Sequence, residues 1–226
     1  METFILDDIP FDPAPKRVFK KLHVKPDSRY EGLVLEMLRE AREIAKPRAM
    51  YGLAGIDSKS ADGVVIEGIK MESRIMAVNL EGLHRVFPYL ASSGRELYDW
   101  TKTKEDMLEN YWAEEISQMA LRKAEKVLLD HLKATYDLGR TASMNPGSLE
   151  DWPITAQKSL FNLLGDPLAS IGVELTESML MLPNQTVSGI RFASEEGYSN
   201  CELCPRGCCT HRRKPYNPDK MKEKYQ

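Results

Sequence analysis

The sequence predicts a mixed fold, in which helices and strands come from separate stretches of the chain. Residues 103–135 contain no Pro or Gly, and their apolar side chains recur near the helical period, which predicts one long helix. The β-branched run Val64–Ile66 and the segment 186–193 are typical of strands. The chain has 226 residues, of which 42% are hydrophobic, so it is long enough to bury a sizeable core. We expect the long helix, about 45 Å at about 1.5 Å per residue, to be the spine of the domain.

The half of the chain before this helix alternates extended and helical segments. Four prolines predict that residues 1–26 form an extended arm with little regular structure. Asp27 and Ser28 are residue types that cap helices, and Pro47 does not continue one, so a helix is expected between them. The elements expected up to residue 100 are the arm 1–26, a helix 27–45, a strand 48–56, a polar turn 57–63, a strand 64–66, a helix or strand from 74 to 78, a strand 82–90 and a helix capped by Ser93 and Glu96.

The chain after the long helix begins with a loop at 141–153 that contains an Asn-Pro-Gly turn signal. A short helix is expected at 155–164, closed by Gly165, because glycine readily adopts the conformation that ends helices. Two strands are then expected at 172–183 and 186–193, before a cysteine-rich segment and a charged tail.

Charge and the N-terminal sequence indicate the compartment. The formal net charge is −3, so no global basic field attracts nucleic acid, and the basic residues 211–224 indicate a solvated tail. The acidic N-terminus lacks the features of a signal peptide, and no apolar run approaches the ~18 residues of a membrane span. We therefore expect a cytoplasmic protein that binds neither nucleic acid nor membrane.

All four cysteines of the chain fall within nine consecutive positions. In a reducing compartment such clusters bind metal or do redox chemistry more often than they form structural disulfides. Cys201 and Cys204 have the two-residue gap with which two thiolates grip one ion. Cys208, Cys209 and His211 are the candidates to complete the ligand set, and since adjacent cysteines rarely both bind one ion, we expect only one of Cys208 and Cys209 to be a ligand. Zinc and an iron–sulfur cluster both suit these ligands, a metal-free segment is the alternative, and the sequence leaves the choice open.

Two motifs in the second half of the chain resemble one known family. The segments that carry the resemblance are Arg140–Ala142, Pro146–Gly147, Asp151–Pro153, Leu175–Ser178, Met181–Pro183 and Val187–Gly189. Together they resemble the activation domain of cobalamin-dependent methionine synthase over about residues 125–200. Two departures stand out: Ser148 occupies the place of a tyrosine in the family, and Ser143–Asn145 is longer than the corresponding stretch of methionine synthase.

The resemblance implies an α+β fold with helices packed around a twisted antiparallel sheet. It also implies a shallow site that binds S-adenosylmethionine and presents it to cobalamin held by another domain. The contacts it implies are Arg140 with the ligand carboxylate, Ala142, Pro146 and Gly147 in the adjoining backbone, Tyr198 as a nearby aromatic residue, and Glu125 on the long helix as an acidic contact.

Two functional hypotheses follow. In the first, the chain is a corrinoid-associated activation protein that binds S-adenosylmethionine, delivers an electron, or does both, to reactivate cobalamin on a separate corrinoid protein or corrinoid methyltransferase. Any catalysis would then be methyl transfer of the reactivation type. In the second, the chain is an electron-transfer or interaction module with an iron–sulfur cluster or zinc and without S-adenosylmethionine. Both divide the chain into an arm 1–26, an activation-domain-like unit 27–198, and a metal-binding knuckle with a basic tail at 199–226.

Overall fold

The structure, a computed structural model, describes residues 1–209 and 212–225, and its strands form one large sheet and one small one. The strands are β1 (Glu2–Leu6), β2 (Arg48–Ser60), β3 (Gly63–Ile66), β4 (Ile69–Glu72), β5 (Arg85–Ser92), β6 (Thr141–Met144), β7 (Glu174–Leu175), β8 (Met181–Leu182) and β9 (Thr186–Ala193). The large sheet has the order β4-β3-β2-β5-β9-β6, with β1 also paired to β2, while β7 and β8 pair separately. All of these pairings are antiparallel.

The helices lie on both faces of the large sheet. They are α1 (Pro15–Leu22), α2 (Glu31–Ile44), α3 (Arg74–Asn79), α4 (Arg95–Thr101), α5 (Met107–Tyr136), α6 (Gln157–Leu164), α7 (Pro167–Ile171), α8 (Asn200–Leu203) and α9 (Pro218–Tyr225), with a short 3-10 helix at Ile154–Ala156. No helix in the described part of the chain is both long and apolar enough to cross a lipid bilayer.

The long helix α5 covers one face of the sheet. Asp106 caps its start, because its carboxylate accepts hydrogen bonds from the backbone N–H groups of Leu108 at 2.8 Å and Glu109 at 3.1 Å. Leu121 and Leu128 of α5 belong to one buried cluster with aromatic residues of β2 and β5. Ala113 and Ile116, nearer the start of α5, belong to a second cluster with buried side chains of α1, α2 and α4.

A third cluster fills the opposite face of the sheet. It combines Met50, Leu90 and Ile190 of the central strands with side chains from α3, α6, α8 and α9. The predicted α+β fold, with helices around an antiparallel sheet, is therefore confirmed. The long helix begins at Met107 rather than near residue 103, and β9 has the predicted bounds.

The N-terminal residues do not form the extended arm that the prolines predicted. Glu2–Leu6 is a strand of the large sheet, and the ring of Phe4 stacks on that of Tyr51 at 5.0 Å. Pro15–Leu22 is a helix whose Val18 and Leu22 are buried. Proline was compatible with this helix because it lies at the first helical position, where no backbone donor is lost. Since β1 pairs with β2, the sheet runs across the predicted boundary at residue 26, and the division into three units stays a prediction.

Two predictions between residues 141 and 183 are wrong. Residues 141–144, expected to be loop, form β6, because they pair with β9. The strand expected at 172–183 is reduced to the short β7 and β8. Between them, the hydroxyl of Thr176 accepts from the N–H of Leu180 at 3.0 Å, a side-chain bond that favours a turn over a strand.

The C-terminal residues include more than a solvated tail. Tyr225 of α9 is 2% exposed, and its hydroxyl donates to Oδ1 of Asn79 at 2.9 Å. Lys214 and Lys220 both contact Glu202 of α8 at 3.2 Å. These contacts fold residues 212–225 back onto the third cluster.

Candidate functional site

The predicted arginine motif lies at one edge of the large sheet, where β6 pairs with β9 and with no further strand among residues 1–209 and 212–225. The carbonyl of Arg140 accepts a hydrogen bond at 2.9 Å from the backbone N–H of Ser194, the residue directly after β9. Since alternate residues of an antiparallel pair exchange hydrogen bonds, the backbone of Ala142 bonds to β9, whereas the backbone groups of Thr141 and Ser143 point away from the sheet. This edge therefore presents the N–H and C=O groups of two residues that a ligand can bond.

Arg140 joins this edge to the loop that follows β9. Its Nη1 donates to the carbonyl of Glu195 at 3.1 Å. Its Nη2 lies beside Gly197, since a Cβ placed on that glycine would be 3.2 Å away. Among the described residues, five other arginines form salt bridges, but Arg140 forms none. The bend at residue 140 and the segment before residue 198 thus meet, and Arg140 keeps N–H donors for an anionic group.

The turn at Pro146 and Gly147 is closed by its own chain. Gly147 has φ 77°, in the left-handed region that favours glycine, and its N–H donates to the carbonyl of Trp152 at 2.8 Å. A Cβ on Gly147 would lie 2.9 Å from Cδ1 of Ile154, so the close approach is made by this side chain. Pro146 is buried and has no N–H. Neither residue therefore has a free backbone donor at this turn.

Asp151 fastens the same turn to α3. Its carboxylate accepts from the hydroxyl of Ser73 and from the backbone N–H groups of Arg74 at 3.1 Å and Ile75 at 3.2 Å. The adjoining Trp152 is 1% exposed. The motif Asp151–Pro153, which the sequence identified only by resemblance, thus has a structural role in placing the arginine loop on the core.

Tyr198 lies in the core rather than at the surface. It is 8% exposed, and its ring is 6.2 Å from that of Phe192. Burial raises the pKa of its hydroxyl, which donates to Oδ1 of Asn200 at 2.7 Å. Nδ2 of Asn200 donates to Asn145 at 3.1 Å, and Nδ2 of Asn145 donates to the carbonyl of Ser188 at 2.7 Å. This network holds β6, β9 and α8 together.

Sequence reasoning missed Asn145, because it treated the residue only as part of a turn signal. The signal that could have identified it is its position directly before Pro146, in the stretch Ser143–Asn145 that is longer than the corresponding stretch of methionine synthase.

Glu125 lies on the other face of the sheet from Tyr198. The side of α5 that faces the start of β9 is identified by Glu114, whose carboxylate accepts a hydrogen bond from Nε2 of Gln185 at 3.1 Å. Glu125 follows three helical turns later on that side. Its carboxylate already accepts from Nη1 of Arg122 at 2.6 Å. The structure therefore does not bring Glu125 and Tyr198 together.

Arg191 is a second arginine beside β6 and was also missed. It lies on the α5 face, where its Nη1 donates to the hydroxyl of Thr141 at 3.1 Å and its guanidinium lies 5.5 Å from the ring centroid of Tyr89. Its Nε is buried without a hydrogen-bond partner among the described residues. The sequence signal that could have identified it is a single arginine within the otherwise uncharged strand segment 186–193.

The four cysteines are not gathered around one point. Cys201 and Cys204 are half-buried at α8, whereas Cys208 and Cys209 are exposed, and the predicted ligand His211 lies outside the described residues. Among residues 1–209 and 212–225, no three His, Cys, Asp or Glu side chains are arranged to hold a metal ion. The structure thus gives no support to the zinc or iron–sulfur site, which stays a prediction.

Hydrogen bonds organise the cysteine segment instead. The guanidinium of Arg212 donates to the carbonyls of Cys201 at 2.9 Å and Cys204 at 3.2 Å. Burial alone would raise the pKa of the Cys201 thiol, but backbone N–H groups of Arg213 and Lys214 lower it overall. Sγ of Cys201 accepts from Arg213 at 3.4 Å.

Comparison with known proteins adds two findings. Residues 101–202 match the sequence model of the family described as vitamin B12 dependent methionine synthase, activation domain. No curated protein matches the chain in sequence. One matching solved structure is the crystal structure of the MetH reactivation domain bound to AdoHcy, with TM-score 0.58, 14% identity and coverage of 88% of this chain and 80% of that chain.

The structural match and the sequence match support different conclusions. At 14% identity the structural likeness shows a shared fold, whereas the sequence match covers Glu125, the Arg140 loop and Tyr198 directly. Residues 101–202 therefore match the vitamin B12-dependent methionine synthase activation domain in sequence, the family that the motifs predicted.

Proposed function

We propose that the chain binds S-adenosylmethionine and takes part in reactivating cobalamin that a separate protein holds. The family match supports the cobalamin part, since the family is the activation domain of a vitamin B12-dependent enzyme. The AdoHcy in the structural relative supports the cofactor part, because AdoHcy remains when S-adenosylmethionine loses its methyl group. The observation that carries the proposal for this chain is Arg140, which lies at the sheet edge beside the outward backbone of β6.

The groups at this edge suit the amino-acid part of S-adenosylmethionine. A guanidinium has five N–H donors in a fork that matches a carboxylate, and Arg140 bonds the carbonyl of Glu195 through Nη1. The outward backbone groups of Thr141 and Ser143 can bond neighbouring polar atoms of the ligand. Bound there, S-adenosylmethionine would supply the methyl group of its sulfonium to cobalamin, with an electron from a separate donor.

The other predicted contacts support this edge in the proposal. Ala142, Pro146, Gly147 and Tyr198 shape the backbone beneath the ligand, since each is buried or bonded to its own chain. Glu125 contributes negative charge on the α5 face, where Arg122 holds it.

The partner in the proposal is a cytoplasmic corrinoid protein or corrinoid methyltransferase. The chain holds the ligand at an exposed sheet edge, which a second protein can approach. The activity of the complex would be methyl transfer of the reactivation type.

Isothermal titration calorimetry with S-adenosylmethionine and S-adenosylhomocysteine tests whether the chain binds the ligand. We expect both to bind the native chain, and Arg140→Ala to weaken binding by about tenfold or more, because it removes a charge-assisted hydrogen bond. Arg140→Lys keeps the charge but loses the fork, so it should also bind more weakly. Arg39→Ala, at an exposed α2 arginine paired with Glu43, is the matched control. Equal affinity of the native chain and Arg140→Ala would contradict the proposed site.

Visible absorption of cobalamin on a purified corrinoid protein tests the second part. We expect the spectrum of methylcobalamin to develop from the Co(II) state when the chain, S-adenosylmethionine and a one-electron chemical reductant are all added, and not to develop when any one is omitted. An unchanged spectrum with every component, despite binding of S-adenosylmethionine, would remove the cobalamin role while leaving the ligand site in place.

A further inference from the structure

Two adjoining surface pockets lie between the N-terminal segment and α5, and they form one cleft that we call the α1–α5 cleft. The first pocket has a volume of about 260 Å³ and is lined by Phe11, Asp12, Arg17, Arg122, Lys123 and Lys126, among others. The second, also about 260 Å³, shares Arg17 and Arg122 with the first and adds Lys21. None of the residues predicted to contact S-adenosylmethionine lines either pocket.

The charges around the α1–α5 cleft leave an excess of positive charge. Asp12 is the one lining carboxylate among the described residues, and it pairs with Arg42 at 2.7 Å. Of the lining cations, Lys21 pairs with Glu115 and Arg122 with Glu125, both at 2.6 Å, and Lys126 pairs with Asp130 at 2.5 Å.

Arg17 and Lys123 remain as cations without a carboxylate partner in the described part of the chain. They line the same pocket, Arg17 from α1 and Lys123 from α5. A chain with net charge −3 thus concentrates unneutralised positive charge in one concave place.

The floor of the cleft is apolar. Pro10, Phe11, Pro13 and Met119 line the first pocket together with the cations, and Phe11 is 8% exposed. Small-molecule sites commonly combine apolar walls with a few placed polar groups. Arginine binds phosphate with two parallel hydrogen bonds, and lysine binds it as a point charge.

From these observations we propose that the α1–α5 cleft binds a small molecule that carries phosphate and an apolar or aromatic group. Arg17 and Lys123, which line the same pocket from two helices, would hold the phosphate, and the apolar residues around Phe11 would hold the apolar part. With about 260 Å³ each, the two adjoining pockets together have room for a ligand of about mononucleotide size. This site is separate from the sheet edge and does not depend on the function proposed there.

Calorimetric titration with ADP, inorganic pyrophosphate and adenosine tests the proposal on the full chain. We expect ADP to bind most tightly, pyrophosphate to bind more weakly and adenosine weakest, because only ADP uses both the cations and the floor. The affinity for ADP should fall as salt is raised, since the cations are near the surface. Failure of ADP to bind at millimolar concentration, or equal binding of ADP and pyrophosphate, would overturn the proposal.

Charge-reversal variants locate the binding. Arg17→Glu combined with Lys123→Glu should weaken ADP binding by about tenfold or more. Lys16→Glu combined with Lys20→Glu makes the same net change on α1 but outside the cleft, and should weaken it less than about threefold. Equal losses in the two double variants would show a diffuse charge effect and overturn the site. Arg17→Gln combined with Lys123→Gln, checked by circular dichroism, gives the same test with a smaller perturbation.

Discussion

Asn145 shows how one side chain can organise the candidate site. Its Nδ2 donates to the carbonyl of Ser188 at 2.7 Å and to the hydroxyl of Tyr89 at 3.1 Å, and its Oδ1 accepts from Asn200 at 3.1 Å. It therefore connects the end of β6 to β9, β5 and α8 at once. Removing it leaves several part-buried polar groups without their partner.

We predict that Asn145→Ala lowers the free energy of unfolding by about 1–3 kcal/mol, the cost of leaving buried polar groups unpaired. Urea denaturation measures this. Asn184→Ala is the matched control, because the exposed Asn184 side chain bonds, among the described residues, only Glu114 and the backbone N–H of Gln185. Thiol modification should also be faster at Cys201 in Asn145→Ala, since α8 begins at Asn200. A smaller loss in Asn145→Ala than in Asn184→Ala would contradict this role.

At the scale of elements, the edge strand β6 depends on close backbone contact with β9. Gly189 of β9 permits this contact, because a Cβ there would lie 2.5 Å from the carbonyl oxygen of Met144 and 3.0 Å from Cε1 of Tyr89. A four-residue segment has little strand preference of its own. Its pairing with β9 makes it a strand and turns the backbone of Thr141 and Ser143 outward.

We predict that Gly189→Ala destabilises the chain by about 1–3 kcal/mol, because the methyl group must push β6 away from its place. Thermal and urea denaturation measure the loss, and S-adenosylmethionine binding should weaken in parallel. Gly32→Ala is the control: it adds the same methyl group within α2, where no atom lies within 4 Å of the new Cβ. Alanine favours helix over glycine by about 1 kcal/mol, so this variant should be unchanged or more stable. Equal stability of the two variants would contradict the argument.

At the scale of the whole molecule, one carboxylate ties the C-terminal segment to the domain. Glu202 of α8 contacts Lys214 and Lys220 at 3.2 Å each. Burial would raise the pKa of Glu202, but the hydrogen bonds from Lys220 and Lys214 hold it below its ordinary value. Because the folded pKa is the lower one, Glu202 stabilises the fold above the unfolded pKa and loses this effect as pH falls through the folded pKa.

We predict that Glu202→Gln lowers the melting temperature at about pH 7 and that the difference from the native chain narrows as the pH falls below the ordinary glutamate pKa of about 4.3. Melting curves over this range measure the difference. Glu43→Gln changes an exposed carboxylate paired with Arg39 on α2 and should show little difference at any pH. A gap for Glu202→Gln that persists undiminished at low pH would show that the side chain acts by packing rather than by charge.

The sequence by itself determined the elements whose signal is local and long. The run without Pro or Gly and with helical periodicity became α5, and the β-branched segments became β3 and β9. Side-chain period is a property of the chain alone, so these elements are predictable without a fold. The motif pattern also predicted the family whose sequence model matches residues 101–202, and with it the overall fold.

Only the tertiary structure decided where the short and marginal pieces went. Ser93 and Glu96 look like a capping pair, but α4 starts after Gly94, and Glu96 instead pairs with Arg48 at 2.8 Å. Asp27 and Ser28 likewise do not cap α2, which starts at Glu31. Of the residues predicted to contact S-adenosylmethionine, Arg140 has an exposed side chain at the edge of the sheet, whereas Tyr198 is buried in the core. Local hydrogen bonds stabilise short segments too little to determine their conformation, so long-range strand pairing and burial determine it.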